Sequence, residues 1–280
     1  MSLGCEPNDM GSDQAEGAAA MTHVAALCPP FALVERHAVV ASTMIRAREI
    51  AADPRAVLPA AVIADRQTHG RGRRGAGWWQ SPDSLAVSIV IEAPAPAVAP
   101  PPTWSLACGV ALVETLRDLV PAVATMVRWP NDVYVGTAKL AGILVETIVS
   151  GRAIFGIGVN TSGTAADAPP ALRRRVATIP DLTGAPFDPE TLLAAFLPRL
   201  TGLLAQIEAD PSILPARYRP LCGLTGHEVV LHVGQRIDRG ICRGIAADGG
   251  LLLETDAGPL HCMAGSLTAP TDVWPGETNG

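Results

Sequence analysis

The sequence predicts an α+β fold: a mixed, largely antiparallel sheet covered by helices, followed by a small C-terminal β-barrel. Three observations carry this. Apolar runs of strand length recur between long amphipathic stretches. The central strands follow one another through short turns, too short for helical crossovers. From Gly226 onward the chain consists of short strands separated by turn residues, the signature of a small barrel.

Taken in order, Val34 to Arg55 reads as a strand and then a helix starting near Ser42 and Thr43, with Ile45, Ile50 and Ala51 on one face and Pro54 ending it. Ala61 to Ala64 and Leu85 to Ile91 are apolar strands flanking a Gly and Arg loop from Gly70 to Gly77. A proline-rich loop, Pro94 to Pro102, precedes a strongly apolar helix over Trp104 to Leu119. Met126 to Val135 reads as one strand entering a turn at Pro130, Asn131 and Asp132. Leu140 to Val149 and Ala153 to Val159 form a hairpin through Ser150 and Gly151. Pro189 to Ala209 is an amphipathic helix with leucines at 192, 193, 197, 200, 203 and 204, which covers a sheet face. The barrel strands are Glu228 to Val233, Ile241 to Ala246, Leu251 to Glu254 and Leu260 to Met263. The expected division is a disordered start over residues 1–27, a main domain over 28–221, the barrel over 222–272 and a tail over 273–280.

Composition narrows the function. With 280 residues and 48% hydrophobic content the chain can bury one sizeable core plus an appended domain. Charged residues or proline interrupt every apolar run before the ~18 to 20 residues of a membrane helix, so no membrane association is expected. The first 35 residues carry no Lys or Arg, which excludes the usual secretory and transit signals and points to the cytoplasm. A net charge of −6 argues against general nucleic-acid binding, and the scattered cysteines show no metal-ligand spacing.

Scarcity is more telling than the averages. Lys139 is the single lysine, and outside the tails the only asparagines are Asn131 and Asn160. A compact ammonium retained in an arginine-rich chain suggests a place where one point charge must meet developing negative charge. GRGRRG at Gly70 to Gly75 satisfies the dinucleotide-binding pattern literally, but the nine residues before the next strand cannot hold a crossover helix. No phosphate-loop GK followed by Ser or Thr exists. What remains is a glycine-freed loop that can bring arginines over a polyphosphate or acyl phosphate, against the plainer alternative of a solvated basic turn.

The motifs QTHGRGRRG at Gln67 to Gly75, RWPNDV at Arg128 to Val133, KLAGILVE at Lys139 to Glu146 and GIGVN at Gly156 to Asn160 stand in the order and spacing of biotin protein ligases. RGICRGIAADGGLLLE at Arg239 to Glu254 resembles that family's C-terminal barrel, so the likeness covers most of the chain. The resemblance implies a fold like class II aminoacyl-tRNA synthetases with an SH3-like barrel. It implies ATP and biotin as substrates, with Mg2+, and a biotin carboxyl carrier protein or carboxylase subunit as acceptor. The chain is then a monomer or homodimer that binds no DNA, since only about thirty unpatterned residues precede the catalytic part and a helix-turn-helix domain needs ~60.

Carried over by motif, the biotin-side residues are Ser42, Thr43, Gln67, Gly70, Arg71, Trp78, Lys139, Gly142, Ile143 and Leu144. Arg73, Arg74, Trp79, Asn131 and Asn160 fall on the nucleotide side, Asp132 is the candidate metal ligand and proton acceptor, and Lys139, Arg73 and Asp132 form the catalytic set. The chain departs from the family pattern at Ala41 and Met44, where Asp and Asn are usual, at Ala76, where Arg is common, and at Ser266, where an acid is usual. A lipoate or octanoate transferase of the same fold and a noncatalytic biotin-binding module are the alternatives.

Overall fold

A computed structural model of the protein describes residues 31–75, 77–93, 101–148 and 151–268. The expected disordered start, the tail, residues 94–100 of the proline-rich loop, Ala76 and Ser150 lie outside the described residues.

The larger sheet is built from β1 (Leu33–Val40), β2 (Ala60–Gln67), β3 (Leu85–Glu92), β4 (Thr125–Arg128), β5 (Asp132–Val135), β6 (Ala138–Thr147) and β7 (Arg152–Val159). Their order across the sheet is β1-β2-β3-β7-β6-β5-β4. β1 and β2 pair in parallel, joined by helix α1 (Thr43–Ala52); every other pair is antiparallel. Alternate residues of a strand face opposite sides, and this sorts the core. Leu85, Val87 and Ile89 of β3 pack with helices α2 (Pro102–Leu119) and α4 (Pro189–Ala209), whereas Val90 joins α1 on the other face.

Two expectations need correction. The buried stripe of α1 is Met44, Ala47, Ile50 and Ala51, with Ile45 only half-buried, because the helix starts at Thr43 and three-to-four spacing then runs from Met44. Met126 to Val135 is two strands, β4 and β5, folded into a hairpin with Arg128 opposite Asp132. Pro130, which has no N–H to give a ladder, sits at the turn.

α4 has the length and hydropathy of a membrane-crossing helix. Its leucines at 192, 193, 197, 200, 203 and 204 are buried in the core instead, and the side chain of Asp188 caps it by accepting from the N–H groups of Glu190 and Thr191. The short helices α3 (Ile179–Thr183) and α5 (Ile213–Tyr218) were not foreseen.

The second sheet comprises β8 (Glu228–Val233), β9 (Arg236–Ile245), β10 (Leu251–Thr255), β11 (Gly258–Cys262) and β12 (Ser266–Thr268), in the order β11-β10-β9-β8-β12. No gap in packing separates it from the first. Val229, Leu231, Leu251 and Leu267 share one apolar core with α2 and α4. Trp129, only 1% exposed, donates from its indole nitrogen to the Gly249 carbonyl at 3.0 Å, and Arg128 donates to the Leu267 carbonyl at 2.6 Å. Cys108, Cys222, Cys242 and Cys262 are buried free thiols, in keeping with a structural role.

Candidate active site

β6 and β7 lie side by side with Gly142 opposite Gly158 and Leu144 opposite Gly156. Period two puts these four positions on the α1 face of the sheet. Glycine at three of them removes the side chains that would fill the space, and other groups descend onto the bare backbone. A Cβ on Gly158 would stand 2.7 Å from the Trp78 indole, and one on Gly156 would stand 2.5 Å from the Met44 sulfur. The KLAGILVE and GIGVN motifs thus combine into a single floor.

Trp78 reaches this floor from the arginine loop. The loop closes on itself through a bridge between Arg71 and Gly77 and through the Trp78 N–H donating to the Gly70 carbonyl at 3.0 Å. Gly75, at φ +76°, ends a short 3-10 segment in a conformation costly for other residues.

Above the floor is a bipolar cavity. At one end the Lys139 ammonium stands 2.6 Å from Asp132 Oδ1 and 5.5 Å from the centre of the Trp78 ring. Arg71 and Arg73 also line this cavity. Arg73 donates to Asn131 Oδ1 at 3.1 Å, while Asn131 donates from Nδ2 to the Ile143 carbonyl at 2.6 Å and accepts from the Ile143 N–H at 2.9 Å. Asn131 therefore clamps the arginine loop to β6.

At the other end, Gln67 Oε1 accepts from the Thr43 N–H at 2.9 Å and from its hydroxyl at 3.2 Å, and Ser88 donates to Thr43 Oγ1 at 2.8 Å. Ser42, 0% exposed, lines the cavity with a hydroxyl that has no protein partner, and the Trp78 indole nitrogen is likewise buried and unpartnered. Leaving such a group unpaired costs about 1–3 kcal/mol, so both atoms ask a ligand for a hydrogen bond.

Among the expected residues, Ser42, Thr43, Gln67, Arg71, Arg73, Trp78, Asn131, Asp132, Lys139, Gly142, Ile143 and Leu144 converge on this cavity. Gly70 and Trp79 do not line it. Gly70 instead gives room to Trp78, whose carbonyl would lie 3.1 Å from a Cβ there. The Arg74 side chain is outside the described residues. Asn160 does not line the cavity either: at 1% exposure it donates to the Ala177 carbonyl at 3.1 Å and pins the chain after β7. Gly156, Gly158 and the barrel's Gly265 also line the cavity and were not among the expected site residues, while Met44 and Ser266, singled out as departures from the family pattern, line it too. The alternating glycines of GIGVN were the signal for the floor.

No group of three or more His, Cys, Asp or Glu side chains able to hold a metal occurs among the described residues. Among the described residues Asp132 is the one carboxylate lining the cavity, and it is already paired with Lys139. That donor set does not fit a resident metal. Magnesium, which keeps its waters and binds through few carboxylates plus phosphates, fits only as an ion carried in by a nucleotide.

The Biotin/lipoate A/B protein ligase family matches residues 49–161. A biotin–acetyl-CoA-carboxylase ligase of Paracoccus denitrificans is 32% identical over 209 residues, which are 70% of this chain and 85% of that protein. The chain belongs to the biotin/lipoate protein ligase family. The bifunctional ligase/repressor BirA of Escherichia coli is a relative at 32% identity over 226 residues, 74% of this chain, and the match spans only 65% of BirA. A biotin protein ligase from Aquifex aeolicus, solved in complex with biotin and ATP, superposes with a TM-score of 0.75 at 26% identity, over 86% of this chain and 100% of that one. The superposition covers the mixed sheet together with its appended small sheet, and the family match spans the arginine loop, Lys139 and the glycine floor.

Proposed function

We propose that this chain is an ATP-dependent biotin protein ligase, which joins biotin to AMP and then transfers it to a lysine of a biotin carboxyl carrier domain. The observation that carries the proposal is the bipolar cavity: a cationic end at Lys139, Arg71 and Arg73, and an opposite end with buried hydrogen-bonding atoms that have no partner. The Aquifex relative, solved with biotin and ATP, supports the same two ligands.

In the first step a carboxylate oxygen attacks the α-phosphorus of ATP, an O–P bond forms, and pyrophosphate leaves with the electrons of the bond that breaks. Two anions must meet, so repulsion is the obstacle. The Lys139 ammonium and the loop arginines stabilise the negative charge that builds on the transferring phosphoryl group. Magnesium entering with the triphosphate would offset more of that charge. In the second step an uncharged lysine amine attacks the mixed anhydride and AMP departs; Asp132, the carboxylate beside Lys139, accepts the proton released once Lys139 has turned to the phosphate.

The same cavity argues against lipoate or octanoate as the preferred acid. An alkyl or dithiolane head leaves the Ser42 hydroxyl unpaired, whereas a ureido ring supplies both donors and an acceptor. The test is exchange of labelled pyrophosphate into ATP with each acid in turn. Exchange triggered by biotin is expected; exchange with lipoate or octanoate but not biotin would transfer the chain to the rival reading, and silence with every acid would leave only a binding module.

A further inference from the structure

A second cavity, of about 210 Å³, adjoins the first. Its walls are Pro101 and Pro102 at the start of α2, Pro130 in the β4–β5 turn, Val145 of β6 and Met263 between β11 and β12. Arg73, Asn131 and Leu144 line both cavities, so the two meet at the Arg73–Asn131 hydrogen bond. The Ser105 hydroxyl, also in the wall, is spent on the Pro102 and Pro130 carbonyls at 3.1 Å each. Among the described residues no carboxylate lines this cavity, and Arg73 is the one charged side chain that does.

Resting on the ligase reading above, we propose that this cavity is the entrance for the acceptor lysine: an apolar passage that takes the four-carbon stem and delivers the amine to the activated acyl group beside Arg73 and Asn131. Transfer requires a neutral amine. Apolar walls penalise the ammonium form by desolvation, and the Arg73 guanidinium penalises it by like charge; both favour release of the proton to solvent before the amine arrives. The amine nitrogen then forms a bond to the acyl carbon, the bond from that carbon to the phosphate oxygen breaks, AMP leaves with the electron pair, and the second proton passes to Asp132 in the adjoining cavity as the amide forms. A carboxylate along this passage would hold the ammonium charged. A nucleotide base is the competing occupant, which the absence of side-chain acceptors other than Asn131 and Ser105 disfavours.

The experiment separates the half reactions. Met263, 45% exposed, tolerates replacement without loss of the core, and Val145 is half-buried. In Met263→Glu, biotin-dependent pyrophosphate exchange stays within about twofold of wild type, while transfer to an apo biotin carboxyl carrier domain at neutral pH falls roughly tenfold and its pH profile moves up by about one unit, the effect of one pKa unit on the neutral amine fraction. Val145→Phe, which narrows the passage, slows transfer to the carrier domain but spares release of the acyl group to hydroxylamine. Unchanged transfer in both variants overturns the proposal, as does a parallel fall in exchange, which would assign the cavity to ATP. Absence of biotin-dependent exchange in the wild type would instead overturn the ligase reading, and the passage with it.

Discussion

The indole of Trp78 lies against the backbone of Gly158 so closely that a single methyl group there would stand 2.7 Å from its nitrogen. Neither partner can move far: β7 is hydrogen-bonded on both sides, by β3 and β6, and Trp78 is tied to Gly70. Gly158→Ala should therefore displace the indole into the cavity. Biotin affinity, read by titration calorimetry, is expected to fall at least about tenfold, in line with the 1–3 kcal/mol typical of overpacking. A normal affinity would mean that the ring swings away at little cost.

Lys139→Ala should lower biotin-dependent pyrophosphate exchange by about 10² to 10³, the usual effect of removing one group that stabilises transition-state charge. Lys139→Arg should recover little, because the planar fork cannot reproduce a point charge at 2.6 Å from Asp132 in that space. Full exchange in Lys139→Ala would remove the lysine from the chemistry.

Ser42→Ala removes a buried hydroxyl that has no protein partner. The unliganded protein is expected to be as stable as wild type or slightly more so, while biotin binding weakens by about 1–3 kcal/mol. Discrimination against lipoate narrows correspondingly. Thermal melts with and without each acid would show the two effects separately.

Acid sensitivity should arise in part on β1. Glu35, 5% exposed, accepts from Arg46 at 2.8 and 2.9 Å and lies 3.3 Å from His37. The hydrogen bonds from Arg46 outweigh the cost of burial and, with help from His37, hold the carboxyl below its ordinary 4.5. A folded-state value below the unfolded one means that the stabilisation is fully present above the ordinary value and disappears as pH falls through the folded value. Between about pH 7 and about pH 3.5 the melting temperature of wild type should fall more steeply than that of Glu35→Gln. Parallel curves would show that this carboxylate contributes no linkage.

Lys139 is the only side-chain amine in the sequence. Intact mass of this chain after incubation with biotin and ATP is expected to show no stable addition, since the ligase reading proposed above takes its acceptor lysine from a biotin carboxyl carrier domain and this chain offers only Lys139. A stoichiometric gain would overturn this.

Much of the fold was legible because its signals were long and periodic. α4 begins and ends where the leucine repeat and flanking residues place it, and the hairpin of β6 and β7 follows from two apolar runs around Gly151. The turn at Pro130 and Asn131 was legible, but the return arm β5 was not given as a strand of its own, because only three residues join it to β4 and periodicity does not register so short a reversal. α3 and α5 are too brief to show a repeat. At the site, scarcity singled out Lys139 and Asn131, which line the cavity, and Asn160, which does not. A buried carboxamide that satisfies a chain crossing is as irreplaceable as one that faces a ligand, and composition does not separate the two.

The apolar core that runs from α4 through Trp129 into β8 and β10 leaves no seam at which the chain could be cut. A fragment ending near residue 222 would present raw hydrocarbon to water along a whole flank, and the five strands beyond it would lose the surface that shapes them. The small sheet is therefore better regarded as the keel of the larger one than as cargo fastened to it: a single cooperative transition should carry both, and damage to either end should be felt at the cavity between them.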